Sequence, residues 1–166
     1  MTETHLQYKA RIQELVTGKD PVEVQRQTPS QLAALISGVP ADKLNIRPSP
    51  NAWSVTEILA HLSEAEITAS WRYRQMLEHD GCPLPGYGQE LWAEVGGYAE
   101  RAPADSLQLF RLLRQSNLQM FDKLTPEQWL RHGIHAERGE MTVRELALQI
   151  AGHDVNHVAQ IEAILK

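Results

Sequence analysis

Apolar residues recur at three- and four-residue spacing along most of the chain, the pattern of amphipathic helices. The clearest run is Val55, Ile58, Leu59, Leu62, Ala65, Ala69, Tyr73 and Met76. Ser54-Val-Thr-Glu57 stands at its start as a capping box, in which hydroxyl and carboxylate satisfy orphan backbone donors, and a long helix is predicted to about His79. A second box, Thr142-Val-Arg-Glu145, opens a last helix that runs to the C-terminus. Leu107, Phe110, Leu113, Leu118 and Phe121 mark the buried side of a helix from about Pro103 to Leu124. Pro21 suits a first helical turn and opens a helix to about Ser37, in which Pro29 is expected to act as a kink or a break. A weaker helical segment over residues 3–17 ends near Gly18. Runs with period-two alternation are missing, so no strand is predicted.

The connections differ in length. Residues 38–53 and 125–141 read as loops, the second with one short turn. Residues 81–102 hold five glycines and two prolines, with room for a short helix around Glu90–Val95. A connection this long needs a reason, and crossing from one end of a bundle to the other is one. The fold class is therefore all-α: a four-helix bundle with a long crossover between the second and third bundle helices.

The chain has 166 residues, which suits one domain, with residues 1–18 as a helical extension on a core over 20–166. The net charge of −5 and the lack of a basic run argue against nucleic acid and against a polybasic membrane anchor. No stretch approaches the roughly 18 apolar residues that span a bilayer, and the polar N-terminus lacks a signal core. A lone cysteine, Cys82, permits no internal disulfide or CxxC pair and suits a reducing cytoplasm. Nothing near it in sequence argues for a nucleophile.

Seven histidines stand out. His153 and His157 fall inside the apolar stripe of the last helix, between Ile150 and Ile161. Four residues put them on one face, about 6 Å apart along the axis, where one metal ion can bridge them. HExxH zinc enzymes share this spacing, but this pair lacks their internal glutamate. The plain alternative is two hydrogen-bonded core histidines, although each needs partners for two ring nitrogens. His61 lies at the edge of the buried face of its own helix, where a bundle can turn it toward the pair. Three neutral imidazoles with an open position would suit zinc, nickel or another divalent ion, and an open position would hold a water that the metal could acidify. Because ligating imidazoles must be neutral, metal binding is expected to fade below about pH 6. His5, His79, His132 and His135 read as solvated, His135 least firmly because its loop could fold over a site mouth.

Three stretches together resemble the DinB-like superfamily of metal-binding bundles, in its YfiT-like and bacillithiol-transferase-like branch. They are Pro50-Asn-Ala-Trp-Ser-Val-Thr-Glu-Ile-Leu-Ala-His-Leu-Ser-Glu-Ala-Glu66, Met141-Thr-Val-Arg-Glu-Leu-Ala147 and His153-Asp-Val-Asn-His-Val-Ala-Gln-Ile161. The resemblance spans about residues 20–166. It implies a three-histidine site at His61, His153 and His157 with a divalent metal, nickel or zinc foremost. It also implies an up-down-down-up topology and a homodimer.

Two chemistries would use the same three ligands. In one, the metal deprotonates a low-molecular-weight thiol that attacks an electrophile, as in the thiol S-transferases of this group. In the other, metal-activated water attacks an amide or ester. Thiol transfer to a small-molecule substrate, in stress or detoxification, is the foremost expectation. A metal-dependent hydrolase is the alternative, and a non-catalytic metal-binding or dimerisation module comes from a different class. Glu64 and Asp154 are candidates to orient ligands, with plain solvated helix residues as the alternative for each. Arg72, Tyr73, Trp92 and His135, with Trp71 and Tyr87, are candidates for a substrate mouth. His135 or Asp154 could close the site as a fourth ligand.

Overall fold

Both capping boxes form. The Ser54 hydroxyl accepts from the Glu57 N–H at 3.3 Å while the Ser54 N–H donates to the Glu57 carboxylate at 2.9 Å. Thr142 and Glu145 repeat the exchange at 3.1 and 2.8 Å. In the computed structural model, which describes residues 5–166, these boxes open the two longest helices, α4 (Val55–Glu78) and α8 (Val143–Leu165). They join α2 (Pro21–Ile36) and α6 (Pro103–Phe121) in the bundle. The first four residues of the expected N-terminal extension, and the side chain of His5, lie outside the described residues. Shorter helices are α1 (His5–Glu14), α3 (Ala41–Leu44), α5 (Gln89–Val95) and α7 (Pro126–Leu130), with a 3-10 turn at Tyr98–Glu100.

Side-chain pairs fix the helix directions. Glu66 meets Arg114 and Ser70 meets Asn117, so α4 and α6 run parallel. Gln25 bonds the Ala147 carbonyl and Leu32 packs with Ile161, so α2 and α8 also run parallel. His61 faces His153 while Ala69 and Tyr73 pack with Leu146 and Ala147, so α4 and α8 are antiparallel. The topology is thus up-down-down-up, and residues 79–102 return the chain between the parallel neighbours α4 and α6. No described helix is long and apolar enough to cross a membrane.

Pro29 neither breaks nor divides α2, which runs unbroken from Pro21 to Ile36. A proline has no N–H for the carbonyl four residues back. Here that carbonyl, of Gln25, accepts from Arg114 Nη1 at 2.9 Å instead. The guanidinium from α6 satisfies the acceptor that the proline leaves open.

Beside the helical bundle lies a small sheet of three short strands that the weak strand signals did not announce: β1 (Cys82–Leu84), β2 (His132–His135) and β3 (Gly139–Thr142). β1 pairs parallel with β2, and β2 antiparallel with β3. Gly133 lets the first two strands close up, since a Cβ there would lie 2.6 Å from Leu84 Cγ. Cys82 is buried in this sheet, and burial pushes its thiol up, so it has no nucleophilic setting. The β2–β3 turn carries His135, Glu137 and Arg138 to the cavity beside the bundle.

Against α8, α1 packs so closely that a Cβ on Gly152 would lie 2.1 Å from the Ile12 carbonyl oxygen. Ile12 and Val16 are buried by that contact region.

Candidate metal centre

His61 comes from the second turn of α4, and His153 and His157 come from successive turns of antiparallel α8. Their ligand nitrogens all lie within 4.8 Å of one another, forming the one metal-competent cluster of this kind among the described residues. His153 Nε2 is 2.9 Å from His61 Nε2 and 3.2 Å from His157 Nε2. His61 and His157 are buried, and His153 is half-buried.

Neighbours fix the rings. Trp53 packs on His61 with centroids 5.0 Å apart. Gln160 Oε1 sits 2.6 Å from His157 Nδ1. A side-chain carbonyl can only accept, so Nδ1 carries the proton and Nε2 presents its lone pair to the cluster. Burial holds all three rings neutral. It pushes His61 down to about 3, helped by His157, and His157 down to about 4 against the opposing pull of Gln160. His153 lies well below its ordinary value, first from burial and then from the other two histidines.

The donor set fits a divalent ion better than it fits three hydrogen-bonded core residues. Neutral imidazoles with converging Nε2 atoms crowd lone pairs that a shared proton can only partly relieve. His61 Nδ1 is buried with no hydrogen-bond partner among the described residues. A cation at the convergence would take all three lone pairs, as zinc or nickel does from imidazole.

The cluster forms part of the wall of a cavity of about 860 Å³. Ile58, Ala65, Leu146, Ile150 and Ile164 give it apolar walls, and Arg11, Arg72, Arg138, Glu90 and Glu137 give it charge. Arg72 and His135 line it as the sequence suggests, and so does Tyr87.

Other expected residues are elsewhere. Asp154 is buried on the other side of α8 in an ion pair with Arg114 at 2.6 Å, so it is neither a ligand nor a ligand's partner. The i, i+1 step from His153 turns the two side chains to different faces. Glu64 pairs with Arg101 at 2.6 Å, and Tyr73 is wholly buried against Phe121. Trp92 packs on Tyr87 at 4.4 Å rather than on the cavity wall, and Trp71 is largely exposed. His135 stands outside the three-histidine cluster. Neither expected fourth ligand closes it.

Sequence reasoning missed Gln160, whose position three residues after His157 was legible as a same-face partner. It also missed Arg138, which a loop reading could not place.

The chain is 21% identical over 160 residues to a "putative metal-dependent hydrolase" of Oceanobacillus iheyensis, covering 95% of this chain and 92% of that one. It is 25% identical over 143 residues to a protein of the same name from Geobacillus kaustophilus, covering 85% of this chain and 80% of the other. Among solved structures it is similar to YfiT from Bacillus subtilis, described as "a probable metal-dependent hydrolase with an unusual four-helix bundle topology". That match has a TM-score of 0.82 at 18% identity and covers 98% of this chain and 88% of that one. Residues 26–161 match the DinB superfamily, and with His61, His153 and His157 gathered on its bundle the chain belongs to that superfamily.

Proposed function

We propose that this chain is a metal-dependent hydrolase whose ion is held by His61, His153 and His157. The observation that carries the reading is the convergence of three neutral imidazole nitrogens on the wall of a large, partly apolar cavity, with no carboxylate among them. A divalent ion there would supply Lewis acidity and an acidified water to an ester or amide.

The chain's own residues supply the rest. Burial keeps the ligands unprotonated. Gln160 fixes the His157 tautomer, and Trp53 covers His61. Ile58, Ile150 and Ile164 offer an apolar bed beside the cluster. The names carried by the curated relatives also favour hydrolysis over thiol transfer, which would use the same three ligands.

A panel of activated esters and anilides, given to the zinc-loaded chain and to His153→Ala, tests the reading. Zinc-dependent turnover that disappears in His153→Ala is the expected result. Turnover unchanged in that variant, or absent across the panel in the zinc-loaded chain, overturns it.

A further inference from the structure

The cavity is long as well as large, and the three histidines stand midway along it. On α8 its wall runs Leu146, Ile150, His153, His157, Gln160 and Ile164, an unbroken stripe at three- and four-residue spacing. From Leu146 to Ile164 the helix axis covers about 27 Å, and the histidine pair falls at the middle of that length. A cavity of about 860 Å³ drawn out over this distance has a mean cross-section of roughly 30 Å². That is room for an alkyl chain or a single ring and little more.

The facing walls divide the cavity into two arms. α4 is antiparallel to α8, so its course beyond His61 follows α8 back toward Leu146. Ala65, Thr68 and Ala69 wall this arm, with Leu146 and Ile150 across from them. On the other side of the histidines, Trp53 and Ile58 wall a second arm with Ala163 and Ile164. Both arms are largely apolar, and alanines in each leave them open. A pocket with the histidines at its floor would take only the tip of a molecule. Here a bound molecule can run past them and bury apolar surface on both sides.

We infer that the cavity takes an elongated molecule with an apolar group on each side of its reacting carbonyl. The substrate is then an ester or amide whose internal bond is cut, rather than one that loses a terminal acetyl or methyl group. Hydrolysis breaks the acyl–oxygen or acyl–nitrogen bond; the water's hydroxyl goes to the acyl carbon and its proton to the leaving group. The cut bond rests on the hydrolase reading; the two arms do not.

Equilibrium binding of two ketones to the zinc-loaded chain tests this, since a ketone keeps the carbonyl and cannot be hydrolysed. Bis(phenylpropyl) ketone has an apolar group on each side, and methyl phenylpropyl ketone has one. Burial of the second phenyl group is expected to make the first bind at least about tenfold more tightly. Thr68→Phe narrows one arm and Ala163→Phe the other, each about 10 Å along its helix from the nearest histidine. The Thr68 hydroxyl bonds the Glu64 carbonyl of its own helix at 3.1 Å, so its loss is local. Either substitution alone is expected to bring the two ketones within about twofold of each other. Should a phenylalanine variant fail to fold, Thr68→Leu and Ala163→Leu read the same narrowing. Equal binding of the two ketones to the wild-type chain overturns the proposal, and so does an advantage that survives in full in either variant. With the zinc-loaded chain, phenylethyl phenylbutyrate is expected to be hydrolysed with kcat/KM at least about tenfold above that of methyl phenylbutyrate. Equal values overturn the internal bond. A tenfold ketone preference without any zinc-dependent hydrolysis would remove the hydrolase reading and leave the two-armed cavity standing.

Discussion

Each histidine of the cluster is held neutral by burial, and this sets a pH dependence. His61 and His157 have an ordinary value of 6.5 and are pushed down to about 3 and about 4 in the folded chain. Between those limits the unfolded chain binds more protons than the folded one, so stability rises with pH across the window and falls on acidification. The metal-free chain is therefore expected to lose stability as the pH drops from about 6.5 toward 4, read by urea unfolding at stepped pH. Metal binding, expected from ordinary imidazole titration to fade below about pH 6, should persist below that point. Release with a midpoint near 6 would mean that the rings titrate as exposed histidines do. At this scale the three clustered histidines were legible, because each interrupts or borders an apolar stripe at helical spacing. Asp154 was misread because an i, i+1 step turns it to a different face from His153, and Glu64 because an i, i+3 place beside His61 does not by itself choose its partner. Asp154 turns to Arg114, and Glu64 to Arg101.

The helices were legible because their signals are local. The Ser54 and Thr142 boxes, the prolines at Pro21 and Pro103, and the apolar stripes each specify a start or a face within a few residues. The strands were not legible for the opposite reason. β1 has three residues and its partner β2 lies some fifty positions later, so neither alternation nor a hairpin turn announces the pair. The close contact of α1 with α8 is also a long-range fact, marked in sequence only by Gly152. Gly152→Ala would force a Cβ to 2.1 Å from the Ile12 carbonyl oxygen. A displaced α1 and a loss of about 1–3 kcal/mol are expected, as for other overpacked contacts. Thermal unfolding and protease cleavage near residues 5–18 measure the two effects, and an unchanged melting temperature with no new cleavage would contradict the contact.

The whole molecule is tied at its centre by charge rather than by apolar packing alone. Arg114 of α6 makes two bonds to Glu66 of α4 and two to Asp154 of α8, and a fifth to the Gln25 carbonyl of α2. All five guanidinium donors are used, and every bundle helix is joined. None of this could be read from the sequence, where Arg114 and Glu66 look like ordinary helix-surface charges and Asp154 draws attention only as the neighbour of His153. Arg114→Met would leave two carboxylates buried without their cation, and a loss of about 3–5 kcal/mol in denaturant unfolding is expected. A loss below about 1 kcal/mol would show that the site takes up water or protons at little cost. The same up-down-down-up arrangement sets α4 antiparallel to α8, which is what lets one histidine meet two. Elemental analysis of the untagged chain, with and without His157→Ala, tests that meeting most directly. One divalent ion per chain, lost in the variant while the helical spectrum is kept, is the predicted result. A chain that takes up neither zinc nor nickel with all three histidines intact would contradict it.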